Sequence, residues 1–376
     1  CTANITNNLS NRRLTINGDM RIAQRSTSAT GTGVKTIDRF GSIGSGSQAV
    51  TQSQDTDVPT GQGFSKSLKY DCTTANASPN AGDYLSIRYK IEAQDLQQIA
   101  NGTSSAKKVT ISFWVKSPKT GNHALGIYKA DNTQRQNTKT YSVSAANTWE
   151  KKTITYDGDT SGGGIDNDNG GGFFIDWHLL AGSDYTSVDS TSWINYASNN
   201  WAYGHAVNVL DNTANNFYIT GVQLEVGSVA TDFEHRSVHD ELIRCMRYCV
   251  VYEHQLFNET LVFLGSSRGG TAKFFTVPLS TPMRADPTIT RFGQTRLGMS
   301  DFTTVDATST LTVGGVTPTT QLVQPDGPAV GGDKLTFFYN GSVTGMTNQG
   351  NALYQLMFVS DTTSGSPNKL TFDSEL

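Results

Sequence analysis

Short runs in which apolar and polar residues alternate, separated by clusters of Gly, Asn, Asp and Ser, recur along most of the 376-residue chain. Period-two runs of this kind predict strands with one face on a core and one in water, and their turn-punctuated recurrence predicts β-sandwiches. The clearest is VTISFWV at 109–115, where Val109, Ile111, Phe113 and Val115 share one parity and Thr110, Ser112 and Trp114 the other. Strands are expected at 14–17, 20–25, 48–52, 65–70, 84–91, 109–116, 124–128, 138–143, 150–156, 173–179 and 217–226. A second set is expected at 261–264, 273–277, 288–291, 310–313, 334–339, 353–359 and 369–372. EAQDLQQIA at 92–100, ending in Asn101-Gly102, predicts a short helix across one end of the first sandwich. The glycine-rich stretches 28–33, 41–47 and 158–172 predict loops chosen for turn geometry, with no GxGxxG or P-loop arrangement.

The two sets of strands meet at residues 217–252. Tyr218, Val222, Leu224 and Val226 share a parity while Thr220, Gln223 and Glu225 are polar, so a half-wet strand comes first. A helix is expected next: Ser237 can cap it, and His239, Asp240 and Glu241 fall in its first turn. Leu242, Cys245, Met246 and Cys249 form its apolar stripe. The expected organisation is an arm at 1–13, a sandwich at 14–236, a connecting helix at 237–255 and a smaller β-sandwich at 256–376. Trp114, Trp149, Trp177, Trp193 and Trp201 all precede the helix, as two separate cores would have it.

Composition narrows the class to all-β. Gly numbers 37 and charged residues are only 16%, which favours short strands and tight turns over long helices. A net charge of -4 without a basic stripe argues against a nucleic-acid partner. Cys1, Cys72, Cys245 and Cys249 show neither a disulfide framework nor zinc spacing, and Cys245 with Cys249 reads as a buried helix face. Cys1 has three readings: a residue exposed by loss of an initiator Met, the first residue of a cut-down longer fibre, or a lipidated start. No run approaches the ~18 apolar residues of a membrane span, so membrane insertion is not expected.

Three groups carry candidate chemistry. Asp157, Asp159, Asp166 and Asp168 crowd the loop DGDTSGGGIDNDNGGG, and oxygen-rich glycine loops chelate Ca²⁺, although turns select the same residues and the spacing is not that of an EF-hand. No other cofactor is expected. His235 and His239 straddle the strand-to-helix link at a spacing open to metal ligation or to a structural role at the junction. In SWINYASNNWAY at 192–203, Trp193, Tyr196, Trp201 and Tyr203 stand among Asn195, Asn199 and Asn200. Aromatic faces stack on sugar rings and amides bond their hydroxyls, so Trp193, Tyr196, Trp201, Tyr203, Asn199 and Asn200 are the candidate saccharide site, set against a plain core or loop-anchor role.

Several motifs carry a family resemblance. GVQLEVG at 221–227, FEHR at 233–236 and CMRY at 245–248 resemble a module near the ends of many tailed-phage virion proteins, where they close a carbohydrate-binding-module-like jelly roll. LTINGDMRIAQR at 14–25 with IDRFG at 37–41 resembles the opening of that module, and PMRADPT at 282–288 the loop of the small β domain that follows it. Where that family commonly has a second aromatic after Tyr248, this chain has Cys249. The resemblance implies a jelly-roll sandwich over 14–236 and a non-enzymatic virion surface protein, whether tail fibre, head fibre or spike. Its partners would be host-surface glycan, other virion proteins and further copies of itself, most simply as a trimer. The rival reading is a capsid decoration or fibre-attachment protein. A glycan depolymerase would need a carboxylate pair in one groove, which nothing in the spacing indicates.

Overall fold

The computed structural model describes residues 12–254, 260–267, 272–285, 287–292, 296–301, 334–340, 353–359 and 368–375. The chain forms two compact units, Cys1–Cys245 and Met246–Glu375. The strands of the first unit, in chain order, are β1 (Ser28–Thr30), β2 (Phe40–Ser45), β3 (Ala49–Asp55), β4 (Ser67–Thr74), β5 (Tyr84–Glu92) and β6 (Val109–Lys116). They continue with β7 (Gly121–Lys129), β8 (Arg135–Val143), β9 (Glu150–Tyr156), β10 (Gly171–Ala181), β11 (Ile194–Asn195) and β12 (Asn216–Val226). They form two six-stranded antiparallel sheets, ordered β1-β3-β4-β12-β6-β9 and β11-β8-β7-β10-β5-β2, which pack as a jelly-roll sandwich.

Alternation explains the packing. Ile111, Phe113, Val115, Ile219 and Leu224 from the first sheet meet Ile87, Tyr89, Ile127, Ile175 and Trp177 from the second in one core cluster. Trp177 is fully buried, with its ring 5.8 Å from Phe113 and 6.4 Å from Phe40. Trp114, on the opposite parity of β6, is half-buried on the outer face of the first sheet.

Two local expectations fail for identifiable reasons. Residues 14–25 are not strands: Asn17 (φ 58°) and Met20 (φ 60°) adopt left-handed backbone that breaks a ladder. The segment instead bonds irregularly to β12, through Leu14 N–H to the Leu224 carbonyl (2.8 Å) and Val222 N–H to the Gly18 carbonyl (2.9 Å). A Cβ at Gly18 would lie 2.0 Å from the Val222 oxygen, so the NGD turn needs its glycine for close approach. The stretches 28–33 and 41–47 contribute β1 and β2; in β2, Gly44, where a Cβ would meet the Leu85 side chain at 2.8 Å, lets the strand run close under its neighbour. The short helix expected at 92–100 is present, as a 3₁₀ helix, Ala93–Ile99, that buries Leu96 and Ile99 and ends at left-handed Ala100.

Helix α1 spans Val238–Met246, with Ser237 Oγ accepting the Asp240 N–H at 3.0 Å as a cap. The motif residues explain how it is anchored. Arg13 pairs with Glu241, both side chains fully buried, and Glu241 also accepts the Asn17 N–H. Arg236 donates to the Arg13 carbonyl at 2.8 Å, and the Arg13 N–H to Glu234 at 3.0 Å. The opening segment, the FEHR link and the helix are thus one buried ionic knot.

The expected helix over 237–255 is too long. Cys249 does not continue its stripe; it begins β13 (Cys249–His254), where the β-branched and aromatic run Val250, Val251 and Tyr252 pairs with the last strand. The second unit continues with β14 (Thr260–Ser267), β15 (Ala272–Pro278), β16 (Thr288–Phe292), β17 (Arg296–Asp301), β18 (Lys334–Asn340), β19 (Leu353–Val359) and β20 (Asn368–Asp373). They form a three-stranded sheet, β13-β20-β16, and a five-stranded sheet, β17-β19-β14-β15-β18. The strand expected at 310–313 lies outside the described residues. Within the PMRADPT segment, Arg284 N–H bonds the Arg247 carbonyl and Arg284 Nε the Ser374 carbonyl, both at 2.8 Å, so this motif ties the chain after α1 to the last strand.

Candidate functional site

The outer face of the second sheet carries a grouping of half-exposed aromatic and charged side chains. Strand register builds it. Phe174 on β10 stands opposite Tyr128 on β7 and Lys90 on β5; one row along, Asp176 stands opposite Gly126 and Arg88, and beyond it His178 opposite Ser86. These residues have the parity opposite to core residues Ile175 and Trp177, so all project away from the core.

Fixed contacts hold the face. Arg88 makes a two-pronged pair with Asp176, 2.7 Å at each oxygen, and its guanidinium lies 5.2 Å over the Phe174 ring. Burial lowers the Arg88 pKa, but the Asp176 carboxylate more than offsets it and carries the value above the ordinary range. The Lys90 ammonium lies 5.1 Å from the centre of the same Phe174 ring, and Tyr128 packs 5.5 Å from Phe174. Tyr196 stands edge-on to Tyr128 at 4.9 Å and remains 37% exposed.

At the far end the face is closed. Trp201 is only 4% exposed and packs edge-on against His178 (4.8 Å), Tyr84 (5.0 Å) and Tyr185 (5.5 Å), with its Nε1–H donated to Asp176 at 2.8 Å. Its carbonyl accepts from Thr138 at 2.9 Å and lies over Gly126, where a Cβ would meet it at 3.3 Å. Beneath lie His123, His178 and His205, all buried. Burial lowers His123 and His178 to about 4, and His205 well below its usual range. They are neutral at physiological pH: His123 stacks on core Tyr141, whereas His178 lies on the outward parity of β10 and is buried under Trp201.

The six sequence candidates therefore divide. Tyr196 is on the face and accessible. Trp201 is not a platform residue but the buried plug under it. Trp193 stacks on Phe173 at the core edge (5.9 Å) and donates to the Asp157 carbonyl at 2.6 Å. Asn200 is buried and closes its own turn, taking the Ala197 N–H at 3.2 Å and donating to the Asn195 carbonyl at 2.9 Å. Asn199 and Tyr203 are half-buried. Sequence alone does not mark Tyr84, Arg88, Lys90, Tyr128, Phe174 and Asp176; the signal for them is aromatic and charged residues on the outward parity of YLSIRYKIE, GNHALGIYK and GGFFIDWHLLA.

The aspartate loop does not fit Ca²⁺. Asp159 is buried and held by Arg135 at 3.1 and 3.2 Å, and Asp157 pairs with Lys108 at 2.6 Å, which holds its carboxyl below the usual range. Asp166 takes a bond from Asn132 (3.2 Å) and Asp168 from the Gly170 N–H (2.9 Å). No group of three or more metal-binding side chains occurs among the described residues, at this loop or at His235 and His239. Nor is the loop loose: buried Lys129 donates to the carbonyls of Gly162 and Gly163, each at 2.7 Å.

No family model and no curated protein matches the chain. Among solved structures, it is similar to the enzymatically active domain of bacteriophage CBA120 tailspike protein 4 (14% identity, 57% of this chain and 21% of that chain, TM-score 0.31), so it spans about a fifth of that tailspike chain. It is also similar to the family 11 carbohydrate-binding module of a Clostridium thermocellum cellulosomal cellulase (13% identity, 56% and 98% covered, TM-score 0.29). A third is the C-terminal family 22 carbohydrate-binding module of a Clostridium thermocellum xylanase, Xyn10B (10% identity, 59% and 99% covered, TM-score 0.29). At these TM-scores the likeness carries no argument, and the jelly-roll assignment rests on the strand order itself.

Proposed function

We propose that the protein is a non-enzymatic surface protein of a tailed-phage particle that holds host-surface glycan on the outer face of its second sheet. The observation that carries the reading is the row Tyr128, Phe174 and Lys90 with Tyr196 beside it: half-exposed rings on a rigid sheet floor, bordered by hydrogen-bonding groups locked in place by the Arg88–Asp176 pair. Rings of this kind cover the apolar faces of sugars at little entropic cost because the strands already hold them. Asp176 is engaged at both oxygens, by Arg88 and by Trp201, which supports binding over general acid catalysis. The placement on a phage particle draws on the motif resemblance, whose parts meet in the ionic knot. A shallow face binds weakly, so presentation of several copies, most simply a trimer, would supply avidity.

Incubation of the full chain with a glycan array, alongside an assay for polysaccharide chain shortening, tests this reading. Retention of particular glycans without cleavage is expected. Absence of any glycan binding, with loss of particle stability when the protein is removed, would favour the decoration role; cleavage would overturn the non-enzymatic assignment.

A further inference from the structure

On the opposite side of the sandwich, the outer face of the first sheet holds a cleft of about 230 Å³ that the face described above does not share. Its walls are Phe64, Trp114 and Phe233, with His235 at the edge. Phe64 stands edge-on to Phe233 at 5.1 Å, and His235 lies 5.3 Å from Phe64 and 4.9 Å from Phe233. The Arg13 guanidinium, 4.8 Å from the Phe233 ring, backs that wall with a group already fixed in the ionic knot.

A β-bulge opens the cleft. In the pairing of β12 with β6, Thr220 faces Trp114 and Gln223 faces Ser112, so Gly221 and Val222 together oppose the single residue Phe113. Gly221 takes left-handed backbone (φ 62°), and a Cβ there would lie 2.6 Å from Phe64 Cζ and 3.1 Å from Trp114 Cδ1. The glycine of the GVQLEVG motif therefore lets Phe64 and Trp114 converge.

The rim is polar and uncommitted. Gln62, Lys151 and Asp232 line the cleft, and their side chains make no hydrogen bond or ion pair with other described residues. We infer that this cleft is a second ligand site, which takes one neutral sugar ring, an uncharged hexopyranoside, end-on. The volume lies below the roughly 300–1,000 Å³ of sites for larger ligands, which limits the occupant to a single ring. Three aromatic walls suit a ring with an apolar C–H face. The ammonium of Lys151 and the carboxylate of Asp232 cancel in charge: an anionic ligand would face Asp232 and a cationic one Lys151. A rim of hydroxyls uses both, with Gln62 supplying a donor and an acceptor.

The site stands independently of the proposed glycan face, and its test separates the two. In full-length protein labelled at the indole nitrogens of its 5 tryptophans, the Trp114 signal is identified by its disappearance in Trp114→Phe. Titration with the methyl glycosides of glucose, galactose and mannose is expected to shift that signal, with millimolar affinity for at least one of them. The double variant Gln62→Ala/Lys151→Ala alters only exposed side chains, so folding is kept, and should weaken that affinity about fivefold, or ~1 kcal/mol. Tyr196→Ala should leave it unchanged. A Trp114 signal that stays fixed up to about 100 mM of every glycoside, or shifts equally in the double variant, overturns the proposal. So does a response confined to charged sugars such as glucuronate or glucosamine.

Discussion

Trp201 separates architecture from recognition more sharply than any other residue of the first unit. Truncation to alanine removes a ring that is 96% buried by its 4% exposure, with edge-on partners in Tyr84, Tyr185 and His178. Deleting a core tryptophan costs about 3–5 kcal/mol. The same change takes the Nε1–H from Asp176, and a hydrogen bond to a charged group is worth about 1.5–3 kcal/mol, part of which the remaining Arg88 fork retains. A total near 5 kcal/mol is therefore expected for Trp201→Ala, whereas Trp201→Phe keeps the packing and should lose only about 1–3 kcal/mol. Since two units need not unfold together, the measurement should be hydrogen exchange read on peptides of β5 and β10 across a urea series. A loss below about 1 kcal/mol in Trp201→Ala, with protection of β10 intact, would refute the buried assignment and return the ring to the solvent face.

Three further outcomes follow from the packing. His123 and His178 are neutral and held near 4 against an ordinary 6.5, so the unfolded chain takes up protons first; stability should be full above pH 6.5, fall as pH drops toward 4, and flatten below, with about 3 kcal/mol lost per ring by then. Urea midpoints for the first unit that are flat or rising from pH 7 to pH 5 would contradict this. Glu241→Ala leaves the Arg13 guanidinium buried without its partner and should cost about 3–5 kcal/mol in thermal unfolding, with Arg13→Met/Glu241→Leu recovering most of it; an unaffected single variant would dissolve the ionic knot as an anchor. Lys129→Ala frees the Gly162 and Gly163 carbonyls, and limited proteolysis should then cut within 158–172 well before it does in the parent; equal rates would show that other contacts hold the loop.

Much of the architecture was legible because alternation is a direct image of burial. The strands β6 and β9 have unbroken patterns and end where expected, whereas the bulge at Gly221 and Val222 switches parity within β12, so that Phe217 and Ile219, not Tyr218, join Val222 and Leu224 in the core. What was hidden depended on partners distant in sequence. Gly41 and Gly44 look like loop residues, but they lie in a strand where a side chain would meet Gly33 and Val34 at the first position and Leu85 at the second. Cys245 and Cys249 satisfy helical spacing, yet pairing of Cys249 with Asp373 makes it the start of a strand, and nothing near Cys249 in sequence announces Asp373. The candidate site shows the same division. SWINYASNNWAY was visible as an aromatic cluster, but whether each ring faces water is decided by what lies beneath it. Trp201 found Asp176 and sank, while Tyr196 found Tyr128 and stayed at the surface. The row Tyr128, Phe174 and Lys90 exists only through register, across three strands separated by dozens of residues.

The most direct test of the glycan face is an equilibrium titration of the best array-selected glycan into the parent protein and into Tyr128→Ala/Tyr196→Ala, with thermal unfolding measured on both. Both rings are partly exposed, so the double variant should keep its unfolding temperature within a few degrees. Loss of two stacking contacts should weaken binding tenfold or more, about 1.4 kcal/mol at least. Unchanged affinity in a stably folded double variant would contradict the account and remove recognition from this face.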